Sequence, residues 1–164
     1  MKKIIVLITI LCTFSVMSQK KVLNPKFNTM LDTLLAHNVK EILPLEIKNK
    51  KDILFLDARE KKEYTTSHIK DALWIGFTSF NEKKLKGINK NKKIVVYCTV
   101  GYRSEIITQK LTSAGFTNVL NLYGGIFEWA HNNLPIVNKK GITTEIHTYN
   151  KVWSQWLGTG IKKY

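Results

Sequence analysis

Short, continuous apolar runs alternate along this chain with stretches in which apolar residues recur every three or four positions. Ile53 to Leu56 runs without a break into Asp57, Ile94 to Tyr97 into Cys98, and Val119 to Leu122 into Tyr123. Runs of this length read as strands buried on both faces. Helical spacing predicts one helix from Phe27 to about Ala36, with Met30, Leu31, Leu34 and Leu35 inward. A second is predicted from about Ser104 to Ala114, stopped by Gly115, and a third from about Ile126 to Asn132, after Gly124 and Gly125 and before Pro135. Weaker signals predict strands at Val39 to Ile42 and Ala72 to Ile75, a helical turn after Pro44, and a short charged helix or loop at Asn81 to Gly87. The alternation predicts an α/β fold in three layers, a central parallel sheet with helices on both faces. No internal repeat or low-complexity linker interrupts it, so we read one domain.

The first residues have a different pattern. Lys2 and Lys3 precede an uncharged apolar stretch from Ile4 to Met17, and small residues lead to Ser18 before Gln19 and Lys20. Residues 1–18 therefore read as a cleavable signal peptide cut after Ser18, which predicts a periplasmic or extracellular protein. Retention as an anchor is the alternative, but the stretch is shorter than the ~18 apolar residues of a spanning helix, so no stable membrane insertion is expected. Cys12 as a lipid attachment point is disfavoured by the bulk of Leu11. The formal charge of +14 comes from 26 Lys and Arg against 12 Asp and Glu. The lysines are scattered, at positions such as Lys48, Lys84 and Lys93, rather than interleaved with aromatics on one face. That excludes nucleic acid as the expected partner and leaves a positive field that concentrates small anions.

Candidate chemistry concentrates at Cys98. The thiol ends a buried strand, and Thr99, Val100, Gly101, Tyr102, Arg103 and Ser104 lead into a helix. Loop amides and a helix N-terminus converge at such a point and make an anion cradle that favours the thiolate. With the leader removed, Cys98 is the lone cysteine of an exported chain, so it has no intramolecular disulfide partner. A strand-end position beside Gly101 and Arg103 predicts a thiol open to solvent rather than a buried one. His37, His131 and His147 lack metal-ligand spacing, so no metal is assigned.

Two groups of motifs resemble the rhodanese-like domain family of single-domain sulfurtransferases. Leu56–Asp57–Ala58–Arg59–Glu60, Glu63–Tyr64, Ser67–His68–Ile69 and Ala72 look like its first half. Val95–Val96–Tyr97–Cys98, Gly101–Tyr102–Arg103–Ser104, Leu111, Gly115–Phe116, Asn118–Val119, Leu122–Tyr123–Gly124–Gly125 and Trp129 look like its second. The resemblance implies a domain over 39–137, with a helical lead-in at 19–38 and an aromatic extension at 138–164. It further implies a sulfurtransferase in which Cys98 takes a sulfane sulfur from thiosulfate or a persulfide and passes it to cyanide or a thiol. Arg103 would lie beside the anionic donor and the amides of Thr99 to Ser104 would cradle it, with no cofactor. A protein sulfur acceptor is a further possible partner.

Four residues separate Cys98 from Arg103, one fewer than in cysteine-dependent phosphatases, which makes phosphatase activity a minor alternative. A sulfur-carrier or binding module with little turnover is the other. Asp57, Arg59 and His68 are supporting residues: Asp57 as an acceptor for loop amides or Arg59, Arg59 as a substrate-orienting group or an ion-pair partner of Asp57 or Glu63, His68 as a cap or backbone partner. Ser67 stands where the family usually has glycine. In the extension, Tyr149, Val152, Trp153, Trp156 and Leu157 have helix-like spacing. The preferred reading packs them on the domain, and Tyr149, Trp153 and Trp156 are candidates for a rim at the catalytic mouth.

Overall fold

A computed structural model describes residues 22–164; the predicted leader and its cleavage point lie outside the described residues. Five strands, β1 (Glu41–Ile42), β2 (Leu54–Asp57), β4 (Leu73–Trp74), β5 (Ile94–Tyr97) and β6 (Val119–Leu122), form an all-parallel sheet in the order β1-β6-β5-β2-β4. Alternation along the strands sorts the core into two layers. Phe55, Val95 and Tyr97 face one side, packed with Phe27 and Leu31 of α1 (Pro25–Leu34) and Ile126 and Phe127 of α4 (Gly125–His131). Leu56, Ile94 and Val96 face the other, against Ile107 and Leu111 of α3 (Tyr102–Ser113). The expected three-layer α/β architecture is what the chain adopts. Both faces of β5 are buried, which is why its sequence is an unbroken apolar run.

Local chemistry sets the helix boundaries. α1 begins two residues before the predicted Phe27 because Asn24 accepts from the amides of Lys26 and Phe27 and Pro25 occupies the first turn. α3 begins at Tyr102 rather than Ser104 because Gly101, at φ +119, turns the chain straight into the helix. The segment Asn81 to Gly87 contains one short 3₁₀ helix, Glu82–Leu85.

Several elements had no sequence signal. α2 (Lys61–Thr66) sits in a polar run, and β3 (His68–Ile69), β7 (Ile136–Asn138) and β8 (Gly141–Thr143) form a small antiparallel sheet. The extension differs from its helical expectation: β9 (Glu145–His147) pairs in parallel with β10 (Ile161–Lys163), and only a single turn, α5 (Lys151–Ser154), is helical between them. Ile146 and Leu157 are buried in the core layer shared with α1 and α4, and Trp156 stacks on Phe27 at 6.0 Å between ring centroids. Among the described residues no helix is long and apolar enough to cross a membrane.

Candidate active site

Cys98 follows β5 directly, at the carboxyl end of the sheet where open α/β folds place their ligands. The loop from Cys98 to Arg103 folds back so that the Gly101 amide donates to Cys98 Sγ at 3.2 Å. The next amides, of Tyr102, Arg103 and Ser104, open α3 and have no carbonyl one turn earlier to bond. The loop is fixed from below by Gly101 O, which accepts from Ser104 Oγ at 3.0 Å, Asn121 Nδ2 at 3.1 Å and the Glu105 amide at 2.9 Å. Ser104 is thus a buried brace rather than a wall of the site, and Asn121 is a brace that no sequence pattern marked.

The glycine pair after β6 holds the loop from the other side. Gly125, at φ +57, lies so close that a Cβ there would stand 2.5 Å from Cys98 O and 2.6 Å from Thr99 O. Its α4 neighbours bond the same two carbonyls, Ile126 N to Cys98 O at 2.9 Å and Phe127 N to Thr99 O at 3.2 Å.

Cys98 is not open to solvent as its strand-end position suggested; it is 1% exposed. It opens instead onto a cavity of about 450 Å³, whose walls include Thr99, Val100, Tyr102 and Arg103 from the loop. Glu60, Phe77 and Thr78 add a second wall, and Tyr149 and Trp153 of the extension a third. That last wall lies far away in sequence, so the position of Cys98 alone did not reveal the cover.

Arg103 borders this cavity, but its terminal nitrogens are engaged. Nη1 and Nη2 donate to Glu63 at 2.8 and 2.7 Å, Nη2 also to Thr99 Oγ1 at 2.8 Å, and Thr99 Oγ1 donates to Glu63 at 2.9 Å. Burial opposes ionisation of the Glu63 carboxyl, yet the bonds and charge of Arg103, with Arg59 behind them, hold it below the usual carboxylate range. For Arg103, burial is likewise outweighed by Glu63 and by negative charge at Cys98, so the guanidinium is held more firmly charged than usual. Of the two partners expected for Arg59, Glu63 pairs with Arg103 and Asp57 pairs with Arg59.

Arg59 and Asp57 are both fully buried and bond one another: Arg59 Nε and Nη2 reach Asp57 at 3.0 and 2.6 Å, and the Arg59 amide donates to Asp57 Oδ1 at 2.9 Å. Arg59 Nη2 also holds Ser67 O at 2.6 Å. This pair knits the end of β2 to the turn before β3 and does not border the cavity. His68 stacks on Tyr64 at 4.0 Å and sets Nδ1 3.0 Å from Tyr64 O, also away from Cys98. Among the described residues no cluster of His, Cys, Asp and Glu could hold a metal ion.

A family model, the rhodanese-like domain, matches residues 43–132, more than half of the chain. The chain belongs to the rhodanese-like domain family. Proteins named tRNA uridine(34) hydroxylase are similar to it: that of Buchnera aphidicola is 39% identical over 100 residues, covering 56% of this chain and 31% of its own. That of Escherichia coli is 33% identical over 115 residues, covering 67% and 32%. The chain spans about a third of the length of these curated relatives. A rhodanese-related protein from Thermoplasma volcanium superposes with a TM-score of 0.52 at 28% identity, covering 60% of this chain and 97% of that one. Thiosulfate sulfurtransferase from Pseudomonas aeruginosa shares the fold, with a TM-score of 0.58 at 21% identity over 66% of this chain and 22% of that one. The rhodanese match ends at residue 132, so the wall made by Tyr149 and Trp153 lies beyond it.

Proposed function

We propose that this rhodanese-like domain is an exported sulfurtransferase working through a persulfide on Cys98. The observation that carries the reading is the loop turned about Gly101, whose amide donates to Sγ. That bond stabilises negative charge on the attacking sulfur, and again on the terminal sulfur of the loaded enzyme as it takes that place. The Cys98 thiolate attacks the outer sulfur of the donor. With thiosulfate, the S–S bond breaks, sulfite leaves with the bonding electrons, and Cys98 becomes a persulfide anion. Cyanide or a thiolate then attacks the terminal sulfur, departs as thiocyanate or a persulfide, and restores the Cys98 thiolate. The chemistry balances without metal or cofactor. The relatives' printed name describes proteins about three times as long, so we assign this chain the sulfur transfer of the shared domain rather than their tRNA hydroxylation. The leader pattern supports export, which N-terminal mass analysis of protein from the cell envelope tests through loss of residues 1–18.

The deep placement of Cys98 and the engagement of Arg103 by Glu63 favour one second reading, a carrier that accepts sulfur and releases it slowly. Intact mass after incubation with thiosulfate or a persulfide tests both. One added sulfur on the parent, none on Cys98→Ser, and thiocyanate on addition of cyanide is the outcome for the enzyme. Loading without thiocyanate assigns the carrier. Sulfur retained by Cys98→Ser, or absent from the parent with every donor, overturns both.

A further inference from the structure

The cavity around Cys98 is poorly matched to a small inorganic dianion. Its volume of about 450 Å³ is in the range of pockets that take organic ligands, roughly 300–1,000 Å³, and far exceeds what thiosulfate fills. Phe77, Val100, Tyr102, Tyr149 and Trp153 make most of the wall apolar. The one guanidinium at hand, Arg103, is neutralised by a bidentate bond to Glu63, and the Tyr149 ring lies over it at 5.1 Å. Glu60 brings a carboxylate to the same cavity, fixed by the amide and hydroxyl of Thr78 at 3.2 and 2.9 Å. Negative charge at the wall and a neutralised arginine leave a dianion little beyond the loop amides to attract it.

The aromatic wall is built in, not draped over. Tyr149 has φ +68, a left-handed conformation costly for a tyrosine. Its amide is held there by His147 Nδ1 at 3.1 Å. The Trp153 amide is held by the Asn150 cap at 3.1 Å, and Trp156 and Leu157, just beyond, anchor the turn in the core. Tyr149 remains 52% exposed as a residue, so it has surface to offer a ligand.

We propose that Tyr149 and Trp153 select, as sulfur donor, organic persulfides bearing an apolar group of about the size of an aromatic ring. The proposal rests on the sulfurtransferase reading and names the substrate class of that same site. In the step, the Cys98 thiolate attacks the outer sulfur of R–S–SH and the donor S–S bond breaks. The R–S⁻ group leaves with the bonding electrons and takes up the proton of the transferred SH, giving R–SH and the Cys98 persulfide anion. The apolar R group sits against Tyr149 and Trp153, where burying one ring contributes enough to separate substrates by about tenfold.

The test compares single-turnover loading of Cys98, followed by intact mass, from methyl hydropersulfide, benzyl hydropersulfide and thiosulfate. The two organic donors differ also in leaving-group basicity, which is the same for every variant, so the change in their ratio from parent to variant reports recognition of the substituent. The parent is expected to load from benzyl over methyl hydropersulfide by about tenfold, and Tyr149→Ala and Trp153→Ala to lose most of that preference, read as the ratio of the two donors in each variant. Trp153→Phe, which keeps a ring and the packing, is expected to retain it. No benzyl preference in the parent, or a preference unchanged in both alanine variants, overturns the proposal while leaving Cys98 loading, and the sulfurtransferase reading, in place. No sulfur on Cys98 from any of the three donors overturns both.

Discussion

Substituting Gly125 by alanine tests whether the glycine pair holds the catalytic loop by close approach. Gly125 has φ +57, where an L-residue with a Cβ costs about 1–2 kcal/mol. The added carbon would stand 2.5 Å from Cys98 O and 2.6 Å from Thr99 O. Carbon–oxygen contacts relax to about 3.3 Å, so the loop must retreat by roughly 0.8 Å. The obstacle is backbone on both sides, so no side-chain rotation relieves it. Retreat stretches the bonds from the Ile126 and Phe127 amides to those same carbonyls, at about 1 kcal/mol each. The sum is a loss of about 3–4 kcal/mol, a large share of a domain stability of about 5–15 kcal/mol. Displacement on this scale at Cys98 is expected to slow persulfide formation about a hundredfold. Gly115→Ala is the control: φ there is +88, but nothing lies within 4 Å of the added carbon, so only the conformational cost of about 1–2 kcal/mol applies. Urea unfolding of the two variants isolates the contact, and sulfur loading by intact mass reads its effect on the site. If Gly125→Ala is no less stable than Gly115→Ala and loads sulfur at the parent rate, the close-approach argument is wrong.

Glu63→Gln leaves Arg103 charged, largely buried and without its anion, and is expected to destabilise by about 3 kcal/mol, read as a lower urea midpoint at neutral pH. Because the folded Glu63 carboxyl sits below its usual range, the unfolded chain binds more protons as pH falls below about 4.3. The parent therefore loses this stabilisation from that pH downward through the folded value, and the variant lacks that part of the acid limb. His147 gives a second pH effect. Burial keeps its imidazole neutral, and of the charges facing it Lys62, Arg59 and Arg103 act in the same direction while Glu63 opposes them. A depressed histidine stabilises fully above its unfolded value of about 6.5 and progressively less below it; stability is expected to fall between pH 7 and 5 in the parent, with a shallower fall in His147→Gln. Asp57→Asn strands the fully buried Arg59 guanidinium and is expected to cost about 3–5 kcal/mol, seen as a lowered midpoint of thermal unfolding.

The central sheet was legible because its strands are buried on both faces. Ile94–Tyr97 and Val119–Leu122 occupy the predicted positions, since an apolar run with polar residues at each end has one way to sit in such a sheet. The short strands carry no comparable signal. His68 pairs with Val137 and Ile161 with Glu145, and segments of two or three residues have no period to read; only distant partners make them strands. α2 was hidden for a related reason. Its run of Lys61, Lys62 and Glu63 reads as a solvated face, and Glu63 becomes interior only when α2 docks beside Arg103, forty residues away.

The extension shows why a list of residues still left the site open: of the three rim candidates, Tyr149 and Trp153 border the cavity and Trp156 does not. Tyr149, Val152, Trp153, Trp156 and Leu157 have helix-like spacing, yet only one turn is helical, and the two tryptophans, which share a groove against α1, differ in what else they meet. Trp156 stacks on Phe27 at the edge of the core, while Trp153 also faces the cavity of Cys98. Periodicity assigns both to one stripe because it assumes a continuous helix; α5 ends at Ser154, so Trp153 alone of the two reaches the cavity. The cysteine loop is a local structure, so its glycine, its spacing and its helix could be read in order along the chain. What the thiol meets is tertiary, fixed by Glu63 from one side and the extension from the other. On the proposed reading substrate choice depends on those walls, so variants of Tyr149, Trp153 and Glu63, rather than of the cysteine loop, are expected to change it.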